Sequence, residues 1–329
     1  MSIEMRKLGS NGPAISALSL GCMGMSGMYG PADEAESLAT IRAAVDGGIN
    51  YLDTGDFYGM GHNEMLIGRA LKEIPRDKVL IGVKFGALRS PKGDWVGYDA
   101  RPAAVKNFLA YSLRRLGTDY IDLYQPARVD RMVPIEDTAG AIAEMIQAGY
   151  VRHLGLSEAS SASIRKAHAV HPVAALQYEY SILTREVERE LLPTIRELGI
   201  ALVAYGVLSR GLLSDSLSAN LAPGDFRAHS PRFSKDNLGK NLALRDAMGA
   251  IAKEKGCSVA QLAIAWVLAQ GDDVIALVGA RRRDRLQEAM GALNVKLSAE
   301  DLAKLAQAVP AEAVAGERYP AQAMAMLNG

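Results

Sequence analysis

Short apolar runs recur along the chain, and each is followed by a longer segment whose apolar residues return at helical spacing. The runs are continuous rather than alternating with polar residues, which is typical of parallel strands covered on both faces. The pattern predicts eight strands, over residues 15–21, 49–54, 78–84, 120–126, 152–157, 173–177, 201–205 and 274–279.

Helical spacing between and after these runs predicts ten helices, which the sequence also delimits. Ser298 followed by Glu300 and Asp301 is typical of a helix N-terminus, and Gly117 and Gly199 stand where helices are expected to end. The predicted helices cover residues 34–47, 63–73, 101–116, 134–148, 160–169, 186–198, 242–255, 258–269, 283–290 and 298–308.

Eight β-then-α units in an unbroken series predict a (β/α)8 TIM barrel with additional C-terminal helices. Ahead of the barrel, residues 5–8 and 13–15 flank a Gly-Ser-Asn-Gly turn and predict an N-terminal β-hairpin. The length of 329 residues would also allow two domains. Because no linker interrupts the series, we expect one domain over residues 1–329.

Composition and charge exclude several classes of function. Hydrophobic residues make up 49% of the chain and charged residues 22%, which is typical of a globular protein. Lys plus Arg equals Asp plus Glu at 37 each, so no overall field favours nucleic acid or a membrane as partner. Two cysteines, no apolar N-terminal signal and no membrane-length apolar stretch lead us to expect a soluble cytoplasmic protein.

Polar and aromatic side chains follow most of the predicted strands at their C-terminal ends, where barrels of this kind carry their active sites. Any one of them could be a helix cap, a surface ion pair or a packed aromatic. Their coincidence at one rim favours a functional site. The set comprises Asp53, Tyr58, Lys84, Ser157, Glu158, Gln177, Tyr205 and the arginines from Arg281 to Arg283.

Asp53 and Lys84 end neighbouring strands, so their charges are expected to meet and to hold each other in place. An ammonium group near the Tyr58 hydroxyl would stabilise the phenolate and lower the Tyr pKa from about 10. A tyrosine tuned in this way can give a proton to a carbonyl oxygen while hydride reaches the carbonyl carbon. That proton donor is what a carbonyl reductase requires.

Four sequence signatures occur in order along the chain: GINYLDTGDFYG at 48–59, NEMLIG at 63–68, SLRRLGTDYIDLY at 112–124 and GLS at 155–157. With them the chain resembles the aldo-keto reductase superfamily over essentially its whole length. The resemblance implies a (β/α)8 barrel and NADP(H)-dependent reduction of aldehydes or ketones to alcohols. It also implies catalytic Asp, Tyr, Lys and His, of which the first three match Asp53, Tyr58 as proton donor, and Lys84.

The chain departs from the family at the fourth position. The family pattern Asp-Leu-Tyr-x-x-His here reads DLYQPA, so Ala127 stands where the His that orients the substrate carbonyl is expected. None of the five histidines is a convincing replacement, although Gln125 or a water could fill the gap. Losing one such donor costs about 10²–10³ in rate. We therefore expect slower reduction of ordinary carbonyls, an unaffected cofactor site, and room for a bulkier substrate.

The chain has neither a Gly-x-Gly-x-x-Gly fingerprint nor a phosphate loop, so a Rossmann dehydrogenase is disfavoured. The cofactor contacts are instead those that the resemblance implies. Ser157 and Gln177 match residues that hold the nicotinamide carboxamide, and Tyr205 matches the aromatic that stacks on its ring. Glu158 replaces a common Asn, which puts one contact in doubt. The loop that covers the pyrophosphate is matched by residues 206–211, with Leu208 and Arg210.

A second group of cofactor residues follows the eighth strand. Guanidinium groups at a helix N-terminus make a credible site for the adenosine 2′-phosphate, so NADPH is predicted over NADH. Ala289 replaces the Asn that usually contacts adenine. The group consists of Arg281, Arg282, Arg283 and Arg285, of which Arg282 and Arg285 match the phosphate and adenine contacts best, together with Glu288 at the ribose–adenine position.

The substrate pocket is expected to be walled by loops after strands one, three and seven and by the C-terminal tail. Candidate apolar lining consists of Met23, Met25, Tyr29 and Trp95 beside Ala127, with Arg318 and Tyr319 over the mouth. Each Met could instead fill a gap in the core. Such walls with one proton donor suit a small-molecule carbonyl substrate, including aromatic aldehydes.

Two other functions are alternatives to carbonyl reduction. A nicotinamide-binding, redox-sensing or regulatory subunit with slow turnover is favoured by Ala127, whereas Asp53, Tyr58 and Lys84 argue for chemistry. A metal-dependent barrel hydrolase is disfavoured because the rim has no cluster of His and Asp ligands, and no metal is expected.

Overall fold

Eight parallel strands pair in chain order and close into a barrel in the computed structural model, which describes residues 3–215, 217 and 225–329. An antiparallel hairpin, β1 Met5–Lys7 and β2 Ala14–Ser16, precedes it. The barrel strands are β3 Leu18–Gly21, β4 Tyr51–Gly55, β5 Leu80–Phe85, β8 Ile121–Pro126, β9 Val151–Ser157, β10 Val173–Glu179, β11 Ala201–Tyr205 and β12 Val274–Gly279. The predicted barrel, its eight strands and the hairpin are confirmed, although the first predicted strand is divided between β2 and β3.

The helices surround the barrel, and the ten predicted segments all contain one. They are α1 Glu34–Asp46, α2 His62–Ala70, α3 Pro102–Leu116, α4 Ile135–Gln147, α5 Ser161–Val170, α6 Leu191–Glu197, α7 Lys235–Glu254, α8 Val259–Leu268, α9 Arg283–Gly291, α10 Ala299–Ala308 and the short α11 Ala321–Met324. Helix α10 begins as predicted, with a capping box between Ser298 and Asp301.

Two helix boundaries differ from the predicted ones for identifiable reasons. Helix α7 begins seven residues earlier than expected, because its first two turns, KDNLGKN, are nearly all polar and give no apolar periodicity. The segment predicted as one helix at 186–198 consists of a 3₁₀ turn, Glu186–Glu188, followed by α6.

The N-terminal hairpin covers one end of the barrel. Leu8 and Ile15 are fully buried and pack in the lower barrel interior, in a cluster that includes Tyr51 and Leu123. Arg6 reaches the C-terminal end of α8, where Nη2 donates to the Leu268 carbonyl at 3.0 Å. The hairpin therefore leaves only the opposite end, where the strands terminate, as a mouth.

A second antiparallel hairpin, β6 Ala87–Arg89 and β7 Trp95–Tyr98, follows β5 on the side of the mouth. This hairpin was not predicted, since both strands are short and β7 contains a glycine. Its Trp95 ring makes an edge contact with Phe57, with 5.4 Å between ring centroids. The hairpin thus adds a wall to the region where the candidate site residues were expected.

Among the described residues, no helix combines the length and apolar character needed to cross a bilayer. The expectation of one domain over residues 1–329 stays a prediction.

Candidate active site

Asp53 and Lys84 meet at the mouth because β4 and β5 are neighbours in parallel register, with Gly55 opposite Lys84. Both side chains are buried, and Lys84 Nζ donates a hydrogen bond to Asp53 Oδ1. Gln177 on β10 donates from Nε2 to Asp53 Oδ2 at 2.7 Å. Burial lowers the pKa of Lys84, while the Asp53 carboxylate opposes that shift. The three side chains form one hydrogen-bonded unit.

Tyr58 lies beside this unit, on the 3₁₀ turn Tyr58–Gly61 that follows β4. Lys84 Nζ is 5.1 Å from the centre of the Tyr58 ring. Burial raises the pKa of Tyr58 well above 10, and the negative charge of Asp53 raises it further. The prediction of a lowered pKa is therefore wrong, because burial of the phenol and the charge of Asp53 outweigh the effect of the ammonium. Tyr58 keeps its proton at neutral pH.

Ala127 directly follows β8, and its backbone N–H donates to the Phe85 carbonyl at 2.8 Å. Its methyl group packs in a small apolar cluster with Phe57, Tyr58 and Ala87. Position 127, where the resemblance leads us to expect a His, therefore carries an apolar side chain in the same cluster as Tyr58. Gln125 is fully buried and its amide hydrogen-bonds to none of the described residues, so its role in filling the gap stays a prediction.

The histidines belong to other parts of the fold. His62 begins α2, with Nδ1 2.9 Å from Ser26 Oγ, and His168 on α5 accepts from the Val173 N–H at 3.2 Å. His171 ends α5, and His153 lies early in β9, four residues before Ser157. His229 ends a 3₁₀ turn after α6 and β11. In the described part of the chain none of these contacts Tyr58.

Ser157, the last residue of β9, stands opposite Gln177 near the end of β10, and both are buried. The next residue, Glu158, has a left-handed φ of +53°, a conformation that costs a non-glycine residue about 1–2 kcal/mol. Its carboxylate accepts from Tyr205 Oη at 2.7 Å and from the Glu179 N–H at 3.1 Å. Glu158 is therefore occupied by protein contacts, in agreement with the doubt about its cofactor contact.

The C-terminal tail crosses the mouth and is held by this carboxylate. Arg318 is 1% exposed, and Nη1 and Nη2 donate to the two oxygens of Glu158, each at 3.0 Å. The hydroxyl of Tyr319 lies 3.0 Å from that of Tyr205. The predicted position of Arg318 and Tyr319 over the mouth agrees with these contacts.

Glu179 is a residue of this region that the sequence reasoning missed. Arg210 Nη2 donates to Glu179 Oε2 at 3.1 Å, and Arg210 Nη1 donates to the Arg318 carbonyl at 2.6 Å. Burial would raise the pKa of Glu179, but Arg210, Arg318 and Arg232 hold it below the usual range. Strand alternation could have identified Glu179, because residues two apart on β10 point to the same side and Gln177 was already a candidate.

The arginines after β12 form a group at the N-terminus of α9, in which Arg282 and Arg283 are exposed and Arg281 and Arg285 partly buried. Arg281 Nη1 donates to the carbonyls of the loop 29–31, at 3.0 to 3.2 Å. Arg282 pairs with Asp284, and both side chains are more than half exposed. Arg285 Nη1 lies 2.9 Å from Glu288 Oε2. Exposed pairs of this kind are worth little, so these arginines can exchange their carboxylates for a phosphate.

The predicted pocket residues differ in burial and in the groups that they contact. Met25 is 2% exposed and packs in the main core, so its place in the pocket lining stays a prediction, and Met23 packs against the apolar cluster around Tyr58. Trp95 is half exposed on Phe57, and Leu208 is partly buried on the core. The Tyr29 ring lies 5.3 Å from the Arg227 guanidinium, and burial raises the pKa of Tyr29 to about 12.

Among the described residues, no group of three or more His, Cys, Asp or Glu side chains is arranged to hold a metal ion.

Comparison with known proteins identifies the family. Residues 17–310 match the model of the aldo/keto reductase family. The chain is 42% identical over 320 residues to "Probable aldo-keto reductase 1" of Glycine max, a match that covers 96% of this chain and 92% of the relative.

Solved structures that are similar to this chain belong to the same family. The glycerol dehydrogenase AKR11B4 from Gluconobacter oxydans superimposes with a TM-score of 0.84 at 32% identity, over 93% of this chain and 96% of that one. The aldo-keto reductase AKR11C1 from Bacillus halodurans, in its holo form, gives 0.79 at 30% identity over 94% and 97%. The family consists of oxidoreductases that generally use nicotinamide cofactors. This chain belongs to the aldo/keto reductase family.

Proposed function

We propose that this chain reduces aldehydes or ketones to alcohols with NADPH, and that Tyr58 is the proton donor. The observation that carries the proposal is the buried unit of Asp53, Lys84 and Gln177 beside a protonated Tyr58 at the barrel mouth. Carbonyl reduction requires a proton donor next to a dry, fixed cation, and this arrangement supplies both.

The protein side of the reaction follows from these contacts. Tyr58 donates its hydroxyl proton to the carbonyl oxygen, which becomes the alcohol hydroxyl. Lys84 lies near the ring and stabilises the phenolate that remains, while Asp53 and Gln177 keep Lys84 in place. A bound nicotinamide cofactor supplies the hydride that the carbonyl carbon gains. The low dielectric of the buried site strengthens the attraction between Lys84 and the phenolate.

The residues of the mouth fit such a cofactor. Ser157 and Gln177 offer a hydroxyl and an amide at adjacent strand ends for the carboxamide, and Tyr205 offers an aromatic ring. The hydrogen bonds of Arg210 to the Arg318 carbonyl and to Glu179 fix the loop that carries Leu208. These side chains are the polar and aromatic types that a carboxamide and a planar ring require.

Preference for NADPH rests on the end of α9. Arg282 occupies the N-cap position and its own side chain does not cap the helix. Because the Arg283 N–H already donates to Glu36 Oε1 at 2.9 Å, a phosphate at this helix end would be bound mainly by the exposed Arg282 guanidinium. Arg285 and Glu288 lie one turn further, where they would contact the adenosine. Arg281 holds the loop 29–31 against this region through three main-chain carbonyls.

The experiment measures NADPH consumption with a panel of aldehydes, ketones and pyridoxal. Tyr58→Phe removes the proton donor, so we expect turnover to fall by about 10²–10⁴ while NADPH binding, followed by tryptophan fluorescence, is retained. The matched control is Tyr111→Phe, which removes a phenol hydroxyl from an exposed position of α3 and should keep the wild-type rate. Wild-type turnover in Tyr58→Phe would refute the assignment.

A nicotinamide-binding redox sensor with slow turnover is the second candidate, and Ala127 favours it. The methyl group of Ala127, in the same apolar cluster as Tyr58, leaves the carbonyl without the second donor that the family's His would supply. Clear NADPH binding without consumption of NADPH on any member of the panel would favour the sensor.

The setting we propose is a single barrel domain over residues 1–329 in the cytoplasm. Cys22 is buried and Cys257 partly exposed, and both are free thiols, which is compatible with a reducing compartment. The substrate is a small-molecule carbonyl compound.

A further inference from the structure

Arg128 is a cation of the mouth that has no role in the proposed proton transfer or in the proposed cofactor contacts. It directly follows Ala127 at the end of β8, and its side chain is partly buried. Nη1 donates to the Ala127 carbonyl at 2.6 Å, which holds the guanidinium beside the backbone of position 127. Within the described ranges, no carboxylate lies within ion-pair distance of Arg128, so most of its donors are left to a molecule in the mouth.

The charges that act on this guanidinium are those of other mouth residues. Burial alone would lower the pKa of Arg128, but Tyr319, Tyr205 and Glu158, which can carry negative charge, raise it above its ordinary range. Its positive charge in turn acts on Tyr58, partly offsetting the effect of burial on the pKa of that hydroxyl. Arg128 therefore interacts electrostatically with the proton donor, with Tyr319 of the tail and with Tyr205.

The other cations of the mouth are neutralised by neighbouring carboxylates. Lys84 pairs with Asp53, and the Glu158 carboxylate is matched by Arg318. Arg210 pairs with Glu179 in the same way. Arg128 thus adds a positive charge that the described part of the site does not balance, and a partly desolvated guanidinium without an anion is unfavourable.

We propose that Arg128 binds a carboxylate carried by the substrate, so that the site selects carbonyl compounds with a carboxylate over neutral ones. This inference rests on the proposed function. The planar guanidinium can offer two parallel N–H groups to a carboxylate, a geometry that gives both affinity and orientation. Anchoring the substrate through its carboxylate orients the carbonyl toward Tyr58 without the hydrogen bond that a His at position 127 would have made.

The test compares 4-formylbenzoate with its neutral methyl ester in wild type and in Arg128→Gln. We expect wild type to show the higher kcat/KM on the carboxylate, and Arg128→Gln to lose about 10- to 100-fold on it, mainly through KM. The ester should change little. Arg128→Lys keeps the charge without the two-pronged geometry, so an intermediate loss is expected. The matched control is Arg131→Gln, which removes the same charge from an exposed loop position.

Three results would overturn the proposal: no wild-type preference for the carboxylate, no change in Arg128→Gln, or an equal loss on both substrates. Calorimetric binding of 4-(hydroxymethyl)benzoate is a second readout that needs no turnover. Wild type should bind it at least about 10-fold more tightly than Arg128→Gln, and equal affinity would also overturn the proposal. If neither aldehyde is reduced but this difference in binding is found, the proposed reduction fails while the carboxylate site stands.

Discussion

Replacing Arg318 by glutamine tests how the C-terminal tail is held over the mouth. Arg318 and Glu158 are 1% and 0% exposed, and two hydrogen bonds of 3.0 Å join them. Removing one partner of a buried ion pair costs about 3–5 kcal/mol, because the other charge stays buried. Glu158 keeps donors from Tyr205 and from the Glu179 N–H. We therefore expect the lower end, about 3 kcal/mol of unfolding free energy.

The prediction becomes sharper when the second charge is removed as well. In the double variant Glu158→Gln/Arg318→Gln no carboxylate is stranded at position 158, so the double variant should be more stable than Arg318→Gln alone. Glu179 stays neutralised in both variants by Arg210 and Arg232.

Urea unfolding followed by far-UV circular dichroism measures these differences. The matched control is Arg283→Gln, which breaks an exposed pair with Glu36 and should leave the unfolding midpoint unchanged. The reasoning is refuted if Arg318→Gln unfolds at the wild-type midpoint, or if adding Glu158→Gln destabilises Arg318→Gln further.

Two further predictions concern the cofactor and the pH dependence of stability. Arg282→Ala should weaken NADPH binding about 10-fold or more and leave NADH binding nearly unchanged in a fluorescence titration, because only NADPH carries the 2′-phosphate; equal losses would contradict this. Burial, and then the charge of Glu64, raise the pKa of Asp56 from 3.8 to about 7. The unfolded chain therefore loses this proton first, and stability should fall between about pH 4 and pH 7, by up to roughly 4 kcal/mol. Asp56→Asn should flatten that fall in urea unfolding at several pH values, and an unchanged slope would exclude Asp56 as its source.

The barrel and the meeting of Asp53 with Lys84 could be predicted from the sequence, since both depend on strand order. Parallel strands that follow one another in the chain become neighbours, and their C-terminal ends share one rim. The same rule predicts that Gln177, near the C-terminal end of the sixth barrel strand, lies at this rim. Its hydrogen bond to Asp53 required only that the two strands end at the same height.

The electrostatics of the site could not be predicted in the same way. The direction of the Tyr58 pKa shift depends on how deeply the phenol is buried, and burial at a loop position is not encoded in strand periodicity. Met25 shows the same difficulty, because a loop methionine can face the core or the mouth without any change in pattern. The network of Glu158, Glu179 and Arg318 joins residues more than 130 positions apart, which no local spacing reveals.

The central claim is that hydride passes from NADPH to a carbonyl carbon in this barrel. The most direct measurement supplies NADPH deuterated at the transferable position of the nicotinamide and determines the mass of the alcohol formed from 4-formylbenzoate. We predict an alcohol that carries one deuterium on the former carbonyl carbon in the wild-type reaction, with far less product from Tyr58→Phe. Oxidation of NADPH without a labelled alcohol, or labelled alcohol at the wild-type rate from Tyr58→Phe, would contradict the account.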